Sequence, residues 1–289
     1  MIKIGRLRRC RLALDQICRL ASDTINRSAL IFKGFAPSLR VPPLLTFVKY
    51  AKRLRHYFVK MLRYNVDNAR NLPLFRGISK RNFDLLMEGS LFRDVPKGAI
   101  VIREGQVPQY LYLVVDGLIE LFASFEGEET TLDIARPPST FILAAVVRDE
   151  VFLKSARALV SARILAIPAA AVREVFGRDA AFARAVVAEL AFRYRVVVRA
   201  LKNEKLRTST ERLANWIRDT ERMQGGRGFI ELEFEKKTLA SLLGMTPANL
   251  SRELSFLSRH GIRTRGRQIV IKDRHALAGY ARPTPLIDG

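Results

Sequence analysis

The stretch KKTLASLLGMTPANLSRELSFLSRH, residues 236–260, decides how the chain is read. It predicts two helices around a tight turn. Ala240, Gly244 and Leu250 stand at the spacings of a helix-turn-helix. Ala240 is small enough to let the second helix approach, and Gly244 takes the positive φ of the turn without a Cβ clash. Leu250, Leu254 and Leu257 form an i, i+4, i+7 stripe that packs the second helix on the first. Thr246 is a good N-cap, and Pro247 suits the first helical position. Asn249, Ser251, Arg252 and Arg259 are left facing outward, with no carboxylate among them. A helix that presents donors in this way suits the DNA major groove. The plainer alternative is a helical hairpin with a solvated basic face.

Composition points the same way. Fifty Lys and Arg against 28 Asp and Glu give a net charge of +22, and so large an excess favours polyanionic partners. The charge is uneven: residues 1–65 carry 15 basic and 2 acidic residues, 66–206 carry 20 and 17, and 207–289 carry 15 and 9. A chain of 289 residues with 48 % apolar content can build two cores. Its longest clean apolar run, residues 141–147, is far too short to span a bilayer. The N-terminus lacks the continuous apolar segment of a secretory signal. A cytoplasmic protein with no stable membrane insertion is the expectation. Cys10 and Cys18 make neither a disulfide framework nor a four-cysteine cluster. No metal-ligand cluster, P-loop or nucleophile with a nearby histidine occurs, which argues against an enzyme.

Working outward, the segment IRTRGRQIVI (262–271) reads as two strands around a basic turn, a wing beside the helices. Arg265 and Arg267 at its tip would reach the phosphate backbone. Lys236 and Lys237 open the first helix, where free N–H groups favour phosphate. Thr246 and Arg259 complete the expected backbone-contacting set. Upstream, residues 182–207 form a long helix with no internal Gly or Pro. Ala183, Val187, Leu190, Tyr194, Val197 and Leu201 step by 4, 3, 4, 3, 4, an unbroken a/d seam. The seam predicts a two-fold dimer that presents two recognition helices to a two-fold DNA site; burial against its own domain is the other reading. Before it, Lys97-Gly98, Glu104-Gly105, Asp116-Gly117 and a turn at 126–128 punctuate short β-type runs, the signal of an all-β roll or barrel. Helices are expected at 79–87 and 169–176, and more strand across 156–168. Residues 1–65 differ. After Pro37, Pro42 and Pro43, apolar and basic residues alternate near helical spacing up to Leu62. That pattern fits a membrane surface or a nucleic acid. Because Met61 stands just before the domain-like sequence, it also fits an extension from an upstream start codon.

Three pieces together resemble the Crp/Fnr family of bacterial transcription regulators: IREGQVPQYLYLVVDGLIELF (102–122), the heptad helix, and GMTPANLSR (244–252). The resemblance covers roughly residues 72–270. It implies an α+β fold: a cyclic-nucleotide-binding-type β-roll over 66–178, a dimerisation helix over 179–206, and a C-terminal winged helix-turn-helix domain over 207–289. It implies a homodimer on double-stranded DNA at a palindromic promoter, RNA polymerase as a partner, and an effector in the roll. Arg252 sits where the family's recognition helix has an arginine aimed at a base, beside Asn249 and Ser251. Ala248 stands where the family often has a glutamate.

The chain departs from the family in its effector cassette. Members that bind cyclic AMP carry F-G-E-x-A-L and then R-S or R-A. Here the residues are Phe141-Ile142-Leu143-Ala144-Ala145-Val146 and Lys154-Ser155-Ala156. Ile142 blocks close backbone approach, Leu143 cannot accept a ribose hydrogen bond, and Lys154 lacks a bidentate fork. No histidine or cysteine lies between His56 and His260, which argues against an iron–sulfur cluster of Fnr type. The expected effector pocket is therefore apolar, formed by Phe141, Ile142 and Leu143 with Lys154 and Ser155. It suits a small apolar molecule or a haem with unusual ligands, as in a nitrogen-oxide sensor. If the pocket is filled, the protein acts constitutively. The rival function is a ligand-binding module with a protein-contacting helical domain, for which Phe256 is the one outward apolar residue.

Overall fold

The structure is a computed structural model that describes residues 69, 70 and 72–288. The basic segment 1–65, with Cys10, Cys18 and His56, lies outside the described residues. After a 3-10 turn at Pro73–Phe75 comes α1 (Lys80–Met87), capped by Ser79 Oγ, which accepts from the Asn82 N–H at 3.2 Å. Eight strands follow: β1 (Leu91–Val95), β2 (Ile100–Ile102), β3 (Tyr110–Asp116), β4 (Ile119–Phe125), β5 (Glu128–Ala135), β6 (Ser139–Phe141), β7 (Ser155–Ala158) and β8 (Ala162–Pro168). They form two four-stranded antiparallel sheets, ordered β1-β8-β3-β6 and β2-β7-β4-β5. This is the expected β-roll. Strand β3 pairs on both edges within its sheet, and its near-continuous apolar and aromatic run YLYLVV is buried on both faces. The run expected at 156–168 is two strands, separated by a turn at 159–161. Gly117 has φ +82, and a Cβ there would stand 2.6 Å from Ala162 Cα and from the Ser161 carbonyl, so the β3–β4 turn can close only on glycine.

Helix α2 (Leu143–Arg148) interrupts the roll between β6 and β7. Helix α3 (Ala169–Arg178) closes it and runs into α4 (Ala180–Leu206), the long helix. Asp179 starts α4 by accepting from the Ala181 and Phe182 N–H groups, both at 3.0 Å, and from Asn82 Nδ2 of α1 at 2.7 Å. The Asn82 hydrogen bond, followed by those backbone donors, holds the Asp179 carboxyl below its ordinary pKa despite burial.

The C-terminal half follows in order: α5 (Ser209–Met223), β9 (Phe229–Glu231), α6 (Lys236–Leu242), α7 (Pro247–Ser258), β10 (Ile262–Arg265), β11 (Gln268–Ile271), α8 (Arg274–Ala281) and α9 (Pro285–Asp288). Thr208 and Glu211 form a capping box on α5. The wing has three strands, β10-β11-β9, rather than the two that the sequence signals. Leu213, Ile217, Ile230, Leu239, Leu250, Leu257, Ile262 and Ile269 build this half's own core. Leu118 of the roll is buried in the same core, and the Thr131 N–H donates to Ser241 Oγ at 2.7 Å. The helix-turn-helix is thus seated on the edge of β5.

Candidate DNA-binding surface

Helices α6 and α7 meet as the sequence predicts. Ala240 is buried between them, and Gly244 takes φ +60 at the turn. Thr246 Oγ caps α7 by accepting from the Asn249 N–H at 3.1 Å. Leu250, Leu254 and Leu257 face the core. The opposite face holds Ser251, Arg252 and Arg259, all exposed, with Asn249 half-buried beside them. Ser255, one turn beyond Arg252, is exposed on the same face. The helical period that places Arg252 outward also reaches Ser255, a position that carries no charge to single it out in the sequence.

The one carboxylate of α7 is turned away from this surface. Glu253 accepts from Ser209 Oγ at 2.8 Å and from Thr210 Oγ at 2.6 Å, so it ties α7 to the start of α5. Among the described residues, Lys236, Lys237, Arg252, Arg259, Arg263 and Arg265 have no salt-bridge partner within 4 Å. Arg207, Arg212, Arg222, Arg274 and Arg282 are instead committed to carboxylates or carbonyls. Strand β10, which carries Arg263 and Arg265, packs beside α7. Arg252 and Arg259 at α7, with Arg263 and Arg265 on the neighbouring strand, therefore form a cluster of uncommitted cations. In a low-salt field such a cluster attracts phosphates over about a Debye length, ~10 Å at 0.1 M.

Two expected backbone contacts carry other duties. Arg267 Nε donates to the Leu232 carbonyl at 3.0 Å, which draws its guanidinium toward the β9 side and leaves Arg265 as the uncommitted arginine of the wing's tip. Thr246 Oγ serves the helix cap. Phe256 does not stand out as an apolar contact. It is half-buried and packs on His260 and, edge to face, on Tyr280, at centroid distances of 4.5 and 5.4 Å. His260 Nδ1 lies 2.8 Å from the Phe256 carbonyl, a structural role.

The residues of the expected effector pocket lie in and beside the roll's core. Phe141, Ile142, Leu143 and Val146 are buried members of the roll's core, and Phe141 stacks on Tyr112 at 5.4 Å. Ile142 has φ +63 and ψ +17, a left-handed conformation that costs an L-residue about 1–2 kcal/mol. It stands where the cyclic-AMP cassette has glycine. Its side chain is buried with the roll's core. Ser155 is buried, and its Oγ accepts from the Glu104 N–H at 3.0 Å. Lys154 is half-buried. Burial pushes its pKa down, opposed by Asp133 and assisted by Arg193. No group of three or more candidate metal ligands occurs among the described residues.

Along α4, Phe182 and Val186 are buried in the roll, and Leu190 packs partly against the same core. Ala183 is half-buried. Val187, Tyr194, Val197 and Leu201 are exposed on one stripe. No helix among the described residues is long and apolar enough to cross a membrane.

A β-roll joined by one long helix to a winged helix-turn-helix defines a DNA-binding transcription regulator with a sensor-type roll. Residues 92–179 match the model of the cyclic nucleotide-binding domain, and residues 211–280 match the Crp-like helix-turn-helix domain. The cyclic AMP receptor protein of Thermus thermophilus is 27 % identical over 191 residues, which cover 66 % of this chain and 87 % of that protein. A Crp/Fnr-family regulator from Eubacterium rectale has a solved structure that is 20 % identical, with a TM-score of 0.62, over 73 % of this chain and 99 % of its own. FixK2 from Bradyrhizobium japonicum is 21 % identical, with a TM-score of 0.60, over 66 % and 96 %. The chain belongs to the Crp/Fnr family of transcription regulators.

Proposed function

We propose that this regulator binds an inverted-repeat DNA site as a homodimer, without a cyclic nucleotide. The observation that carries the DNA reading is the sorting of charge on α7. Arg252 and Arg259 are exposed and uncommitted, while Glu253 is held inward by two hydroxyls. In this reading Arg252 addresses a base, with guanine O6/N7 its best bidentate partner, and Asn249 and Ser251 flank it. Arg259, Arg265, Lys236 and Lys237 hold phosphates and set the register. The exposed stripe on α4 supports the dimer, because an unpartnered a/d stripe is completed by the same stripe on a two-fold mate. The buried Ile142 and Leu143 support independence from cyclic nucleotides. The rival reading as a protein-contacting module loses its one favourable residue, since Phe256 is occupied by His260 and Tyr280.

The test is binding to a randomised inverted-repeat library at fixed salt, with no added effector. A selected repeat should bind about 10³-fold or more tighter than random duplex. Equal binding to all sequences would overturn the proposal.

A further inference from the structure

The direction in which α7 points, relative to α4, depends on a very short joint. Arg207 and Thr208 alone separate α4 from α5, and both are extended, with φ/ψ of −119/146 and −68/161. Such a joint would swing freely unless held. Here it is held from two sides.

On one side lies the segment 282–288. The Arg207 guanidinium is almost fully buried and grips Asp288 with both arms: Nη1 donates to Oδ1 and Nη2 to Oδ2, each at 2.6 Å. Nη1 also donates to Asn203 Oδ1 in the last turns of α4 at 3.1 Å, and Nη2 to the Arg282 carbonyl at 3.4 Å. Asp288 Oδ2 accepts from the Thr284 N–H at 2.7 Å, which folds the segment back on itself. Lys202 Nζ of α4 donates to the Leu286 carbonyl at 3.2 Å. On the other side is Arg212. Its Nη1 donates to the Arg207 carbonyl at 2.8 Å and the Glu204 carbonyl at 3.4 Å; its Nε donates to the Leu243 carbonyl at 2.8 Å, and Nη2 to the Gly244 carbonyl at 3.3 Å. Leu243 and Gly244 form the turn of the helix-turn-helix. One guanidinium therefore links the end of α4 to the turn before the recognition helix.

We propose that residues 282–288 form a strap across this joint, and that Arg207, Asp288 and Arg212 are positioning residues that select the spacing between DNA half-sites. The inference rests on the homodimer reading above. In a two-fold dimer the recognition helices must enter successive major grooves, about 34 Å apart. A rotation of a few degrees at the joint is amplified over the distance from α4 to α7. A bidentate Arg–carboxylate pair fixes angle as well as distance, and its burial shields it from salt. Burial raises the Asp288 carboxyl pKa, but the Arg207 hydrogen bonds and the Thr284 N–H more than offset this and hold it ionised. None of the three residues is on the exposed face of α7, so they govern where the helix sits and not which base it reads.

The test uses the full chain and three variants: Asp288→Asn, Arg207→Asp, and the swap Arg207→Asp with Asp288→Arg. Each is checked for fold by circular dichroism and for dimerisation by light scattering. Each is then selected on a library in which both the half-site letters and the centre-to-centre spacing vary. The wild type should prefer one spacing. Asp288→Asn should keep the half-site letters and the dimer but accept several spacings, with affinity for the best site down about 10-fold. Arg207→Asp should do so more strongly, and the swap should narrow the spacing profile again. A wild-type spacing profile in Asp288→Asn and Arg207→Asp would overturn the strap. So would altered half-site letters, or loss of the fold or of the dimer in Asp288→Asn, which would make the pair merely structural. If the wild type itself binds single half-sites as well as repeats, the homodimer reading has failed and the strap with it. A strap that fails alone leaves the wild-type spacing preference standing.

Discussion

Replacing Val197 by glutamate is expected to dissociate the proposed homodimer while leaving the folded chain intact. Val187, Tyr194, Val197 and Leu201 are 58, 71, 63 and 53 % exposed in the single chain. Full burial of a Val or Leu stabilises by about 1.5–3 kcal/mol, so hiding the share still exposed yields about 1–2 kcal/mol per residue. Eight such side chains in a two-fold pair give a gross gain of about 8–15 kcal/mol. Association costs about 4–15 kcal/mol in lost freedom. The two terms are of the same size, so a modest loss decides the outcome. Val197→Glu removes one apolar contact from each helix and desolvates an unpaired carboxylate on each, together about 5 kcal/mol or more. At 1.4 kcal/mol per decade, the dimer should weaken by about 10³-fold or more. Arg193, one turn earlier, is already held by Glu189 and offers no ready rescue. Val197 is the better probe than Leu190, which packs partly against the roll and would confound dissociation with unfolding. Light scattering at about 1–10 μM, read beside a thermal melt, is the assay. A variant that stays dimeric with an unchanged melt would refute the assignment of the seam.

Arg252→Ala should cost about 1–3 kcal/mol on the selected site and flatten preference at one position, whereas Arg265→Ala should weaken all sequences alike and reduce the salt slope by about one; an unchanged sequence logo for Arg252→Ala would sink its base-reading role. Cyclic AMP or cyclic GMP at about 1 mM should leave the melting temperature unmoved, although even a Kd of ~10 μM would stabilise by about 2.7 kcal/mol; a clear shift would show that Ile142 and Leu143 do not close the site. Lys154→Met should stabilise the fold at pH 7. The folded pKa of Lys154 is lowered by burial, so the unfolded chain holds that proton more tightly, and the penalty fades as pH rises through the folded value toward about 10.4. Urea melts at pH 7 and pH 10 should show the gain shrinking, and a variant less stable than wild type at pH 7 would mean that the charge contributes more than its burial costs.

The parts that were legible from sequence are those written locally. The turn glycine Gly244, the Thr246 cap and the Leu250–Leu254–Leu257 stripe lie within fourteen residues of one another, and helical period alone relates them. Strand β9 was not legible, because Phe229–Glu231 is three residues long and is defined by pairing with β11 almost forty residues later. The seam on α4 reads as one stripe, yet Leu190 packs partly against its own roll. Periodicity marks a face as apolar without saying which neighbour covers it. At the cassette, composition suggested an apolar pocket. The outcome turned on Ile142, a β-branched residue in a left-handed conformation, which propensity disfavours and only the surrounding core can enforce.

The joint between α4 and α5 shows a second limit, and also a rule. Arg207 and Asp288 are 81 positions apart, and Arg212 reaches carbonyls 31 and 32 positions away. In the sequence these residues only add to a charge total. In the structure the carboxylates of the C-terminal half act mainly as acceptors turned inward or along the helix ends. Glu211 caps α5, Glu221 holds the Gly228 N–H and Arg274, Glu253 holds Ser209 and Thr210, Asp273 caps α8, and Asp288 holds Arg207. Of these only Glu253 is on α7, and its two hydroxyl donors hold it off that helix's exposed face. The excess of basic residues in 207–289 is modest, 15 against 9. That balance hides how the charges are sorted: Arg252, Arg259, Arg263 and Arg265 have no salt-bridge partner among the described residues, while most acids of this half are held by hydrogen bonds elsewhere. Placement thus does what composition alone could not. The acid that ties α7 to the start of α5 leaves that helix's exposed face to Arg252 and Arg259.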